Sequence, residues 1–215
     1  MGAAALGVSL PWSTAHGATS TTQAGPDDWL DGLTGTHRCY FAIGSLGMGG
    51  PLVRIHNYIR TYREAYGVNS GEINTVAGIG GARLDGNVPL ALNDRFWKKY
   101  ALGEIRKLID PATGAPTVRN MFYRPQPNDP ILLRPTGEHV VAAGIESLQG
   151  LGTTFLLCNN SVKFFCQLMA ASGKGTTEEV EGDLRANILP GVVIVPAVII
   201  AAQRAQQAGL PYQAL

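Results

Sequence analysis

Apolar positions along this chain fall into short continuous runs separated by stripes at helical spacing. Residues 37–43 form the first such run and predict a strand. A glycine-rich connection over 44–51 follows, after which Leu52, Ile55, Ile59 and Tyr62 or Tyr66 recur as on one helix face. Residues 72–79 predict a second strand, with Gly78, Gly80 and Gly81 at its end. Asn93 and Asp94 open a predicted helix that carries Phe96, Trp97, Tyr100, Leu102, Ile105, Leu108 and Ile109 and stops at Asp110-Pro111. Residues 144–151 predict a short helix. Phe155, Leu156 and Leu157 make a run of the kind found in a parallel strand covered on both faces, and Asn159, Asn160 and Ser161 are N-cap residue types within which the next helix starts.

Thr176 with Glu179 three residues on is a capping-box start for a helix ending near Asn187. Leu189-Pro190-Gly191 turns the chain into a final core strand over 192–195, and Pro196 begins a helix closed by Gly209. Pro211-Tyr212-Gln213 reads as a last short strand. Strands alternating with helices predict an α/β fold, a three-layer, doubly wound, mainly parallel sheet in a single domain.

Two stretches break this rhythm. Residues 111–135 are rich in proline with polar spacers, and loops of such length are usually functional or disordered. Arg119, Tyr123, Arg124 and Arg134 make this insertion basic, as a lid or an oligomer contact would be. Residues 2–10 form an apolar run too short to span a bilayer, followed by Ala15-His16-Gly17-Ala18, which has the small-residue pattern of a cleavage site. No Lys or Arg precedes Arg38, so the positive region of an export signal is missing. Residues 1–28 therefore read as a truncated signal-like leader with an unstructured linker, or as a flexible apolar leader, and residues 29–215 as the domain. The truncated-signal reading places the protein among exported, periplasmic ones.

Composition narrows the function. With 45% hydrophobic and 15% charged residues, the chain has the makings of a sizeable core and a weakly charged surface. A net charge of +1 leaves no electrostatic footprint for nucleic acid or an anionic membrane, and neither a nucleic-acid partner nor a membrane span is expected. The three cysteines show no Cys-x-x-Cys or Cys/His metal spacing, and no metal or cofactor is expected. On one helix Cys158 and Cys166 would be separated by roughly 12 Å of rise, whereas a disulfide needs Cα atoms within about 7 Å.

The candidate chemistry centres on Cys158, at the carboxyl end of a predicted strand and the amino end of a helix. Ligands collect there in open α/β sheets, and the unpaired N–H groups of a helix start favour a thiolate. A free cysteine is equally at home as a small buried hydrophobe. Asn159, Asn160 and Ser161 stand ready as donors, and Gly44, Ser45, Gly47 and Gly80 as residues that would close a pocket. The glycine connection lacks both the GxGxxG register and the GxxxxGK[ST] pattern, and reads more simply as a flexible turn over the sheet edge. His56, alone among apolar residues, reads as structural.

Phe155 through Lys163, then Ile188 through Ala197, then Gln203 through Tyr212 together resemble the DsrE/DsrF-like family of small α/β proteins associated with sulfur relay. The segments 88–100, 110–116 and 119–120 look like those of a subgroup exported with twin-arginine signals, although no twin arginines are present here. The resemblance spans about residues 29–212 and is most specific in the C-terminal half. It implies that Cys158 matches the family cysteine, which carries sulfur as a persulfide, that sulfur-donor and sulfur-acceptor proteins are its partners, and that the chain forms a homo-oligomer. The competing reading is a non-catalytic small-ligand or assembly module with a merely structural Cys158.

Overall fold

The computed structural model describes residues 25–81 and 83–215. The leader predicted over residues 1–18 lies outside the described residues. Five strands, β1 (His37–Ile43), β2 (Ile73–Ile79), β3 (Thr153–Cys158), β4 (Val192–Val195) and β5 (Tyr212–Ala214), form one all-parallel sheet in the order β4-β3-β2-β1-β5. The helices are α1 (Gly50–Tyr66), α2 (Asp94–Lys99), α3 (Leu102–Arg106), α4 (Ile145–Gly150), α5 (Asn159–Ala171), α6 (Thr177–Ala186) and α7 (Val198–Gln207). This is the α/β fold that alternating strand and helix patterns predict, in a single domain.

Side chains alternate across a strand, and the strands accordingly feed two separate cores. Phe41, Ile79, Phe155 and Leu157 pack with Leu52, Ile55 and Ile59 of α1, with Val162 and Phe165 of α5 and with Val180 and Leu184 of α6. Tyr40, Val76, Leu156 and Val195 face the other way, onto Ala201 and Ala205 of α7 and onto Trp29 and Leu33. The chain leaving β3 thus enters a helix on one face, and the chain leaving its neighbour β4 enters a helix on the other. In open α/β sheets ligands collect at the carboxyl ends of two such strands.

Four local expectations are corrected. The single helix predicted from Asn93 to Asp110 is broken into α2 and α3 by Ala101, which sits in the left-handed region at φ 53°, and Lys107 at φ 54° ends α3. The break lets Gly103 lie so close to the neighbouring chain that a Cβ there would meet the Thr117 carbonyl oxygen at 2.1 Å. The predicted final core strand, β4, is an edge strand with Val193 partly exposed. The helix expected from Pro196 begins at Val198, after an extended Ala197 with φ −154° and ψ 132°.

The fourth correction concerns the proline-rich insertion, which is part of the main core rather than a loose excursion. Met121, Phe122, Ile131 and Leu132 are fully buried within it. Arg119 pairs with Asp110 at 3.1 Å and with the buried Asp129, and the Asn120 side chain donates to the Leu90 and Leu92 carbonyls at 3.0 and 2.8 Å. These bonds satisfy backbone groups that buried loops otherwise leave unpaired.

Candidate functional site

Cys158 ends β3 opposite Val195 of β4, at the carboxyl ends of the two strands. It is itself the N-cap of α5, with extended φ −69° and ψ 114°. The helix therefore starts one residue earlier than its Asn-Asn-Ser sequence indicates, and the sulfur occupies the place usually taken by a capping oxygen. The thiol closes no cap hydrogen bond of its own. It is only 6% exposed, so the sulfur is covered rather than open to solvent.

What surrounds it decides its character. Burial by itself pushes the Cys158 thiol up. The Ser161 hydroxyl and the backbone N–H groups of Val198, Ser161 and Asn160 outweigh that penalty, and the thiol is held below its ordinary pKa. Asn160 and Ser161 supply the amides that a helix start leaves free. Val198 adds one from the first turn of α7, the helix that follows β4. The Ser161 oxygen accepts the Gly81 N–H at 3.1 Å, which orients the hydroxyl.

Gly80, just past β2, is where these elements meet. A Cβ there would lie 2.9 Å from Val198 Cγ2, 3.7 Å from Ser161 Oγ and 4.0 Å from Cys158 Cβ. Tyr40 of β1 spans the neighbouring strand: its hydroxyl donates to the Val198 carbonyl at 2.9 Å, and a Cβ on Gly78 would meet that hydroxyl oxygen at 2.2 Å. Burial first, then Tyr212 and Cys158, push the Tyr40 phenol up, so it remains a neutral donor.

A mainly apolar cleft of about 450 Å³ lies beside this arrangement, with Tyr40, Gly44, Gly80, Val198, Ile199 and Tyr212 among its walls. Cys158 is not itself a wall residue. Gly80 and Val198 are its neighbours and the cleft's edge.

The residues singled out from sequence separate into three groups. Cys158, Ser161, Gly80 and the backbone N–H of Asn160 come together, and Gly80 and Gly44 both line the apolar cleft beside them. Ser45 and Gly47 line a second cleft of about 540 Å³, which shares Gly44 and Gly81 with the first. The Asn159 side chain belongs to neither, because its oxygen accepts from Arg185 of α6 at 2.7 Å. The glycine connection is tied down, since Asn87 accepts from the Leu46 N–H at 3.1 Å and donates to the Ile43 carbonyl at 3.0 Å.

Sequence reasoning missed Tyr40, Gly78 and Val198. Tyr40 stands in an apolar run as the one side chain there with a hydroxyl to place, which is a signal of sorts. Val198 contributes only backbone groups to the sulfur and to Tyr40, and no residue-type pattern announces that.

No family model matches the chain, and no curated protein or solved structure matches it either. The functional reading rests on the geometry of the site. Among the described residues, no helix is long and apolar enough to cross a membrane.

Proposed function

We propose that the chain handles sulfur, with Cys158 accepting it as a persulfide. The observation that supports this reading is a cysteine at a strand-to-helix joint whose thiol is held below its ordinary pKa, against its own burial, by the neighbouring Ser161 hydroxyl and the backbone N–H groups of Val198, Ser161 and Asn160. A thiolate there attacks the terminal sulfur of a donor persulfide. The new bond joins Cys158 Sγ to that sulfur, the donor's S–S bond breaks, and the donor departs as its own thiolate, so the exchange is redox-neutral. The same donors suit the negative charge carried by the persulfide, and the apolar cleft begins at Gly80 and Val198, next to the cysteine.

Donor and acceptor proteins are the partners this reading requires. Homo-oligomer assembly and an exported, periplasmic location belong to it through the resemblance described above. The competing ligand-binding reading draws on the 6% exposure of Cys158 and on the apolar walls of the 450 Å³ cleft.

Mass spectrometry after incubation with a small-molecule persulfide donor separates the two. The sulfur-handling reading expects one added sulfur atom on Cys158 and none in Cys158→Ala. An unmodified Cys158 that nonetheless reacts with an alkylating reagent would falsify it and leave the ligand-binding reading.

A further inference from the structure

The second cleft carries chemistry of its own. Its walls come from the connection after β1, Gly44 to Met48, from the residues after β2 and from Arg106 at the end of α3. It holds two cations and one carboxylate. Arg83 and Asp85 pair in a two-pronged contact at 2.8 and 3.1 Å and cancel each other. Arg106 has no such partner: among the described residues no carboxylate lies within 4.0 Å of it. Its Nη1 donates to the main-chain carbonyls of Asp85 and Gly86 at 2.9 and 2.5 Å, and its buried Nε has no acceptor. The Phe122 ring stands 5.9 Å from the guanidinium carbon and offers no countercharge.

The Asp85 carboxylate acts on Arg106 only from beyond 4.0 Å and is itself paired with Arg83, so this half-buried guanidinium has no close countercharge of its own, which an anion in the cleft would supply. On the same cleft, the glycine connection has unused donors. The N–H groups of Leu46 and Gly49 are taken by Asn87 and by the Leu46 carbonyl, whereas those of Ser45, Gly47 and Met48 have no partner among the described residues. Gly47 and Gly49 adopt φ 52° and 95°, left-handed conformations of the kind found in anion-binding backbone turns.

We infer that this cleft binds an oxyanion of the phosphate or sulfate type, anchored by Arg106 and received by the free N–H groups of Ser45, Gly47 and Met48. Of the Arg106 donors, Nη2 is the one left to meet such a group, since Nη1 is engaged by the two carbonyls and Nε is buried, and the guanidinium charge adds its attraction. The cleft also exceeds what a bare ion needs. One water takes about 30 Å³ of liquid and a tetrahedral oxyanion a few times that, so 540 Å³ leaves room for an organic body carrying the anion. The site is independent of the chemistry at Cys158, though Gly81 lies in both clefts and bonds to Ser161.

Titration calorimetry with inorganic phosphate and with adenosine monophosphate tests the assignment on the full chain, on Cys158→Ser, on Arg106→Gln and on Ser45→Asp. Ser45→Asp keeps Arg106 and its turn intact while placing a carboxylate where the anion would sit, so it decides the matter if Arg106→Gln destabilises the loop. Wild type and Cys158→Ser are expected to bind alike, and Ser45→Asp and folded Arg106→Gln at least tenfold more weakly. Tighter binding of the nucleotide than of phosphate identifies an organic carrier; equal binding identifies the free ion, and either outcome upholds the oxyanion site. Binding of neither probe by wild type, or unchanged binding by Ser45→Asp, overturns it. Loss of persulfide formation in Cys158→Ser leaves this result untouched.

Discussion

Cys158 and Cys39 lie on strands of the same sheet and both are buried, yet their environments oppose each other. Cys39 sits within β1, is 1% exposed and reaches only the Tyr40 carbonyl, at 3.8 Å; burial pushes its thiol up to about 11. Cys166, two turns along α5 from Cys158, is pushed up to about 11 as well, by burial and then by Glu181. At Cys158 the same desolvation is overridden by donors, and the thiol is lowered. The difference is one of position along an element. Inside a strand or a helix every nearby N–H is already spent on the backbone ladder, whereas at a strand-to-helix joint several are unspent.

The largest expected consequence is the loss of stability in alkali. Cys39 and Cys166 have folded pKa values of about 11 against an ordinary 9.0, so their neutral forms are favoured by folding. That stabilisation is complete below pH 9 and is lost as pH rises from 9 to 11. At about 1.4 kcal/mol per unit, the pair together accounts for about 5 kcal/mol. Cys158 has the opposite sign, since its contribution is present above pH 9 and is lost as pH falls through its lowered folded value. Urea denaturation from pH 8 to 10, below the range where the raised Tyr40, Tyr58 and Tyr100 phenols begin to contribute, should show a decline that is shallower in a Cys39→Ala, Cys166→Ala double variant. Parallel pH profiles would break the comparison.

Next in size is selectivity toward alkylation. Two units between an ordinary thiol and one near 11 correspond to about a hundredfold difference in thiolate, before accessibility is counted. Iodoacetamide at pH 7, read by peptide mass, should therefore mark Cys158 at least a hundred times faster than either other cysteine. Faster labelling of Cys39 would sink the assignment of Cys158 as the activated one.

Two substitutions sharpen the account further. Ser161→Ala removes the hydroxyl donor and should raise the Cys158 pKa, measurable from thiolate absorbance against pH; an unchanged titration would show that the backbone amides alone do the work. Tyr40→Phe deletes the bond to the Val198 carbonyl and should cost about 1 kcal/mol. Its sharper readout is severalfold faster labelling of Cys158, because the start of α7 is less firmly held.

How far the sequence foretold this can be judged residue by residue. β1 and β4 coincide with their apolar runs, and the Thr176 capping box forms as its spacing predicts. Strong period and local hydrogen bonding made those elements legible. The break at Ala101 was not, because alanine carries no mark of a left-handed conformation and the close approach of Gly103 to Thr117 is a tertiary fact. The insertion misled for a related reason: its prolines speak of irregular backbone, while burial is decided by Met121, Phe122, Ile131 and Leu132 finding the core. Within the site, the strand–cysteine–helix joint was visible. The diversion of Asn159 to Arg185 was not, since Arg185 lies on α6, a separate element.

Tyr40 acts as a latch. Its hydroxyl grips the carbonyl of the residue whose N–H faces the sulfur. Any swing of α7 that bares Cys158 takes the Val198 acceptor away, so that bond has to part first. Access to the thiol is thereby coupled to a phenol on β1, two strands away in the sheet. A molecule entering the apolar cleft that offered Tyr40 a better acceptor would unfasten the sulfur without touching it.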